Sequence, residues 1–537
     1  MSFVKNISEQ ISFEDSTNNL TKREKRILDK SWAKDFAERI FPLINENNYS
    51  ALYSDNAASR PNTPVNIIIG ALVLKEIFDL TDDEVIETLM FDIRYQYALH
   101  TTSFEEQPLS DRTFSRFRLR CCTYETETGI DLIHETIKEL AYEMASIMKI
   151  NHRMKRMDSI MVASNIKKLG RLELLYTCVS NLATRLHKLG HNELLAGLEN
   201  YYDPTDYNRM IYHNRSSDTD TRIEKVIADA LKIRENCNGG FDELSEYQLL
   251  LRVLNEQTVT EPGDAAIVRL RRKEDGGMGS SMLQNPSDPD ATYREKSGKQ
   301  YRGYVANVEE SVDKNGSIIV NYQYEQNNYD DSRFLNDTIE TMGFQTDGLT
   351  LTADGSYAST ENRVKADQNN IKLITTNMTG RKANDIYAEF KFTEDGRQLL
   401  ECAAGKKPKS CSYIKATGQC RVSFNRSDCV NCPHKDKCKL KIHKRTAVLL
   451  ITKKTSERAA LQRQMHTDEY LKYSRFRNGV ESIPSVLRRK YGIDKMPVRG
   501  KLRTKLFFGF KIAALNFRKL LKFIQDHERC LLSAATT

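Results

Sequence analysis

Three carboxylates lie in settings that a single fold of this 537-residue chain has to reconcile. Asp158 stands in MDSIMVASNIKKLGRLELL just ahead of the apolar run Ile160, Met161, Val162. Asp354 closes LTLTADGSYAS behind Leu349, Leu351 and Thr352. Glu481 belongs to RFRNGVESIPSVLRRKYG, an Arg-rich stretch of helical character. These patterns predict two strands and a helix. The three positions are separated by 196 and 127 residues, so a fold that gathers them must carry two large insertions outside its sheet. Two strands and a helix offering hard oxygen ligands suit paired divalent cations, which activate an attacking oxygen and stabilise the departing oxygen of a phosphodiester.

Length and composition narrow the class. The chain is too long for one ordinary core, so two to four domains or large insertions are expected. Its longest apolar stretch, Ile67 to Leu74, is far short of the roughly 20 residues of a membrane helix, and the mean hydropathy is −0.58. The opening MSFVKNISEQISFEDS lacks the basic-then-apolar order of an export signal, which predicts a cytoplasmic protein. Eleven cysteines are then expected to be thiols or metal ligands. The net charge of +8 hides an asymmetry: Glu401 to Thr537 carries +22 and the rest −14. A basic surface of that size attracts a polyanion with salt-dependent affinity, a solubilising face being the equal alternative.

Residues 1–62 are polar and punctuated, with helical patches such as Lys34 to Ile44, and read as a lead-in, with packing expected from Pro64. An apolar helix to Leu80 follows, and Thr81-Asp-Asp-Glu84 forms a capping box opening a second helix towards His100. Ser110 is placed to cap a short basic helix, DRTFSRFRLR. Residues 63–150 thus read as a helical domain, either DNA-binding or a bundle with a solvated Arg face. Asn165 to Val268 is almost wholly helical in pattern, an insertion over 165–275. A Gly/Ser/Asp/Pro-rich linker, Gly276 to Pro289, separates it from the strand-like RGYVANVEE and SIIVNYQYE. A helix over Asp331 to Met342, the Asp354 strand, a helix from about Tyr357 and the strand IKLITTN complete a core spanning 151–377 and 455–530. A Cys-rich insertion, 378–454, interrupts it with the strand-like runs IYAEFKF and TAVLLIT.

Taken alone, Asp354-Gly355 is a turn signal. Asp288, Asp290, Asp330, Asp331 and Asp347 compete for a metal role from loop-like settings. Arg477 precedes Glu481 by one helical turn and can reach it or a DNA phosphate, and Arg488 continues that face. Pro484 should kink or restart the helix near Glu481. Cys429-x2-Cys432-Pro-x4-Cys438 has the spacing of a tetrahedral zinc site, with Cys402, Cys411, Cys420, His434 and His443 available as a fourth ligand. Unliganded thiols or an iron–sulfur cluster are the alternatives. Cys121, Cys122, Cys178, Cys237 and Cys530 read as core or incidental.

Four blocks in order resemble the DDE transposases of bacterial insertion sequences, in the branch with an InsH-like N-terminal domain. They are PVNIIIGALVLKEIFDLTDDEVIETLMFDIRYQYAL with LSDRTFSRFR, the Asp158 block, DPDATYREKSGKQYRGY with TADGSYAS, and the Glu481 block running on through VRGKLRTKLFFGFKIAALNFRKL. The resemblance implies a mixed α/β fold: an all-α N-terminal domain, then an RNase H-like catalytic core with a helical and a Cys-rich insertion. It also implies Asp158, Asp354 and Glu481 as ligands of two Mg²⁺ or Mn²⁺ ions, Arg477 and Arg488 as DNA-phosphate contacts, and a homodimer acting on terminal inverted repeats and target DNA. By the same resemblance Cys402 joins Cys429, Cys432 and Cys438 on zinc. Related transposases carry a Tyr-Arg-Glu-Lys signature whose outer positions are here Ser474 and Arg488, with Tyr473 one residue out of register. An inactive, domesticated DNA-binding protein and a metal-dependent nuclease without strand transfer are the rival readings.

Overall fold

The computed structural model describes residues 1–6, 15–56, 58–104, 106–212, 218–261, 264–296, 298–375, 383–465 and 467–535, without the side chains of 264–266, 474 and 530–535. The chain forms two compact units. One comprises Met1–Asn151, Ser159–Asp330 and Pro484–Thr537, the other His152–Asp158 and Asp331–Ile483.

Among the described residues the first unit opens with seven α-helices. Helix α1 (Lys22–Asp29) starts on a Thr21–Glu24 capping box and α2 (Trp32–Arg39) on Ser31. Helix α3 (Val65–Phe78) is apolar around most of its circumference and correspondingly buried almost throughout. Helix α4 (Asp82–Phe91) opens on the expected capping box, the Glu84 carboxylate accepting from the Thr81 N–H at 2.6 Å and the Thr81 hydroxyl from Glu84 at 3.2 Å. Asp92 then breaks the predicted run to His100 and caps a separate α5 (Ile93–Ala98). Helix α6 (Thr113–Thr128) has no side-chain cap. Ser110 hydrogen-bonds the Thr113 hydroxyl at 3.0 Å instead, and the helix is far longer than the basic segment that announces it. Helix α7 (Leu132–Ile147) follows.

Packing begins well before Pro64. Ala33, Phe36, Ile40, Phe41 and Tyr49 are buried, Trp32 lies 4.7 Å from the Phe78 ring and 5.1 Å from Tyr95, and Phe36 meets Phe517 edge-on at 5.3 Å. The segment is polar on average, but Ala33, Phe36, Ala37 and Ile40 recur at helical spacing and form one apolar face.

Strand β1 (Met154–Ala163) runs from the second unit into the first. Helices α8 (Arg171–Leu189), α9 (Pro204–Ile211), α10 (Thr219–Asn236) and α11 (Ser245–Gln257) enclose their own core around Leu175, Val179, Leu182, Val226, Leu250 and Val253. The helical pattern ends earlier than Val268, in a hairpin of β2 (Thr258–Glu261) and β3 (Asp264–Leu270). Gly276 to Pro289 is not a free linker. Leu283, Asn285 and Asp288 are buried there, and the Asp288 carboxylate accepts from the Tyr304 hydroxyl at 2.5 Å. Strands β4 (Thr292–Lys296), β5 (Lys299–Asp313) and β6 (Gly316–Gln326) form antiparallel hairpins, and β5 also neighbours β1. That approach demands Gly303, at φ 141°, because a Cβ there would run into the Val162 carbonyl.

In the second unit α12 (Asp331–Met342), β7 (Leu349–Ala353), α13 (Thr360–Gln368) and β8 (Ile371–Thr375) alternate. The N-terminal part of β1 pairs in parallel with β7, and β7 with β8. The last two residues of IKLITTN and the first of the Cys-rich insertion lie outside the described residues. IYAEFKF is not one strand: Asp385–Glu389 is a 3₁₀ turn, and only β9 (Lys391–Phe392) is extended. Adjacent Ile386 and Tyr387 both enter one small core, which the alternation of a strand forbids. The module continues through β10 (Leu399–Glu401), β11 (Ser410–Ile414), β12 (Gln419–Asn425), α14 (Arg426–Val430), β13 (Lys441–Ile442) and β14 (Thr446–Ile451). Helices α15 (Lys453–Gln464) and α16 (Asp468–Asn478) lead to a 3₁₀ turn, Gly479–Glu481.

Helix α17 (Ser482–Tyr491), with Pro484 in its first turn where a missing N–H costs nothing, returns the chain to the first unit. There α18 (Lys501–Ala535) packs on α3, α7 and β6, Asn516 bonding both backbone groups of Ile319 at 2.7 and 3.0 Å. Among the described residues no helix is long and apolar enough to cross a membrane.

Candidate active site

Strand register brings the first two carboxylates together. β1 and β7 pair as Met154 with Thr350, Lys155 with Leu351 and Arg156 with Thr352, an offset of 196 residues. That offset equals the separation of Asp158 and Asp354, so the same register continued two steps beyond Arg156 and Thr352 would set these residues abreast on one face. Asp354 ends β7 and accepts from the Gly355 N–H at 2.7 Å.

Helix α16 brings the third. Its Tyr470 hydroxyl donates to the Thr375 carbonyl at the end of β8, and Glu469 pairs with Lys372 at 2.5 Å. On the β1 side, Arg156 Nη1 donates to the Phe476 carbonyl at 2.7 Å, and its guanidinium lies 5.5 Å from the Phe476 ring centroid. Gly479 leaves the room this needs, since a Cβ there would collide with Arg156. Arg477 consequently reaches both carboxylates, Nη2 standing 4.0 Å from Asp354 and Nη1 3.8 Å from Glu481. The Arg477 side chain is 15% exposed, against 43% for Asp354 and 64% for Glu481, and its buried Nε has no partner among the described residues. Glu481 itself sits in the 3₁₀ turn between α16 and α17 rather than within a continuous helix.

Arg156, Tyr470 and Gly479 were not legible as site-positioning residues. The one available signal was Arg156, two residues before Asp158 and thus on its face of the strand. Arg488, in the first unit, gives Nε to Asp494 at 3.1 Å and Nη2 to the Met161 carbonyl at 2.9 Å. Tyr473 faces the Lys372 ammonium, 5.2 Å from its ring centroid, and the Ser474 side chain lies outside those described. Of the competing aspartates, Asp288 is committed to Tyr304, Asp290 accepts from the Lys501 N–H at 3.1 Å, and Asp347 pairs with Arg153 at 3.7 Å. Asp331 is buried at the start of α12, and Asp330 immediately precedes it.

The cysteines separate into two groups. Burial first, then the neighbouring Cys402, Cys429 and Cys432, pushes the Cys438 thiol up to about 12. Burial, Cys402, Cys432 and Asp428 raise Cys429 in the same way. Cys402 and Gly405 close a tight turn, and Cys432 Sγ accepts from the His434 N–H at 3.4 Å. Cys411 and Cys420 instead adjoin each other: burial and then Cys411 push Cys420 up to about 11, and Cys420 donates to the Arg397 carbonyl at 3.2 Å. The Cys530 side chain lies outside those described. Among the described residues, no three His, Cys, Asp or Glu side chains are closed around one point as a metal cage. The donor chemistry nevertheless suits metals: hard carboxylates, with a guanidinium already between two of them, and Cys402, Cys429 and Cys432 near enough to act on the Cys438 thiol.

Two family models match. The Transposase DDE domain matches residues 401–521, taking in the cysteine module and Glu481, and the Transposase domain (DUF772) matches residues 25–120, the helices that open the first unit. By domain content the chain is a transposase. Both matches support a DDE transposase of the insertion-sequence type. Neither the curated proteins nor the solved structures gave a match.

Proposed function

We propose that this transposase cleaves DNA at the terminal inverted repeats of its element and transfers the freed 3′-hydroxyl to target DNA, with Asp158, Asp354 and Glu481 as the catalytic carboxylates. The observation that carries the reading is the meeting of Asp354 and Glu481 at Arg477, with the β1–β7 register leading Asp158 towards Asp354. The order of strands supports an RNase H-like core. β1 is followed by the β5–β6 hairpin in one unit and by parallel β7 and β8, separated by a helix, in the other. Two divalent cations of the magnesium type, bound by the three carboxylates, would lower the pKa of the attacking oxygen and offset charge on the departing one.

The protein's own part is placement. Stiff strand ends hold two carboxylates, α16 holds the third, and Arg477 is the group to hand over from carboxylate to DNA phosphate when a cation replaces it. The helical region of residues 25–120 is the reader of the repeats, and a homodimer pairs two ends in the cytoplasm, at the nucleoid. Part of its cationic face is already spent, because Arg118 forms a bidentate pair with Asp82 at 2.6 and 2.7 Å.

Duplexes carrying the inverted repeats that flank the reading frame test the proposal directly. They should be nicked at the repeat boundary with Mg²⁺, remain intact with EDTA, and become joined to a second duplex. Cleavage without joining would leave a nuclease, and binding without cleavage an inactive DNA-binding protein.

Arg477→Ala should flatten the salt dependence of repeat binding by about 0.9 log unit per log unit of salt, one phosphate contact. Arg488, with Nη1 still unpartnered among the described residues, should do the same. An unchanged slope with lowered stability in Arg488→Ala would assign that residue to the fold alone.

A further inference from the structure

The four-stranded sheet of the cysteine module, in the order β11-β12-β14-β13, has two unlike faces. Cys420, Val422, Phe424, Ala447, Leu449 and Ile451 turn inward to the small core. The alternate residues turn outward, and register aligns them in rows across the strands. Ser412, Arg421 and Leu450 form one row, and Ser410, Ser423, Val448 and Lys441 the next.

This outer face contains hydroxyl, amide, cationic and apolar groups but no carboxylate. Ser410, Ser412, Arg421, Asn425, Lys441 and Leu450 are exposed, Leu450 at 54%. Among the described residues neither Arg421 nor Lys441 has an acidic partner. From Cys402 to Lys454 there are fourteen Lys and Arg against two Asp, a net charge of +12. Both acids lie off the sheet: Asp428 on α14 beside Lys406, and Asp436 in the loop before Cys438.

We infer that the outward face of this sheet is a docking surface for duplex DNA, engaging the phosphate backbone without regard to sequence. The partner follows from charge complementarity. A face with unpaired cations and no carboxylate favours a dense polyanion. Its Ser hydroxyls and Asn amide are backbone-contacting groups, and a sheet face on which most polar side chains are short meets phosphates more readily than base edges deep in a groove, with Arg421 and Lys441 as its phosphate-pairing cations. The inference rests on the transposase reading and adds to it a second DNA contact, remote in sequence from residues 25–120 and suited to DNA outside the repeats.

The test uses the full chain and a random-sequence duplex lacking the repeats. Arg421→Ser with Lys441→Ser should weaken binding to this duplex and reduce its log–log salt slope by about 0.9 per lost contact. Binding to a repeat duplex no longer than the repeat itself should be retained. Leu450 replaced by p-benzoylphenylalanine should crosslink to the random duplex under ultraviolet light. Both replaced cations are exposed and unpaired, so the fold is not at stake. An unchanged slope with no crosslink, while repeats are still bound, would overturn the inference and leave the transposase reading standing. Preferential crosslinking to RNA, or to a second copy of the chain, would equally overturn it. Failure of the unaltered protein to bind any DNA would instead overturn the transposase reading, and this inference with it.

Discussion

Asp158→Asn, Asp354→Asn and Glu481→Gln are each expected to abolish Mg²⁺-dependent end cleavage, by roughly 10³-fold or more, while repeat binding is retained. The amide keeps the shape of the carboxylate and removes the charge that would hold a cation. The stability of the Asp354 and Glu481 variants should change little. The Arg477 contacts are long, at 4.0 and 3.8 Å, and the carboxylates are 43% and 64% exposed, so each pair is worth at most about 1 kcal/mol. Binding and fold thus serve as internal controls on the loss of chemistry. Cleavage at the unaltered rate by any one variant would remove that residue from the site. If Asp158→Asn alone stayed active, the register argument linking it to Asp354 would fail.

The second large effect is expected at the cysteines. Purified protein should carry about one equivalent of zinc, and Cys432→Ser should release it and open residues 402–452 to protease. The core of this module is small, and two of the four thiols, Cys429 and Cys438, are part of it. Without a metal these are buried thiols, raised first by burial and then by their cysteine neighbours. With one, the binding energy, on the order of 10 kcal/mol for structural zinc in small modules, is also folding energy. Cys411→Ser should leave the zinc in place, because Cys411 adjoins Cys420 and not the quartet. Metal-free protein with a protease-resistant module would rule out the zinc site, and a brown, sulfide-containing preparation would point to an iron–sulfur cluster. End cleavage should fall in Cys432→Ser only as far as α15 and α16, which follow the module, lose their support.

Local structure was readable wherever a few neighbouring residues determine it. The Thr81–Glu84 capping box needs only four residues, Pro484 restarts a helix by its own ring, and TAVLLIT is a short apolar run rich in β-branched residues that becomes β14. IYAEFKF misled because its composition favours a strand while its burial requires Ile386 and Tyr387 on the same side. The first 60 residues misled in the opposite direction. Their average polarity concealed a few apolar residues at helical spacing, and what those residues meet, such as Phe517, lies almost 500 positions away.

By itself, then, the sequence singled out three candidate carboxylates and determined the cysteine spacing, the basic C-terminal third and the transposase resemblance. All are properties of short segments or sums over long ones. Tertiary structure decided that β1 and β7 pair with an offset of 196, that Arg156 and Tyr470 seat α16, that Arg477 stands between Asp354 and Glu481, and that Cys402 rather than Cys411 neighbours the other three thiols. The physical reason is that a parallel register, or a contact across a hundred residues, is selected by which arrangement buries the most apolar surface and satisfies the most backbone groups at once. That selection belongs to the whole fold, and no segment encodes it alone.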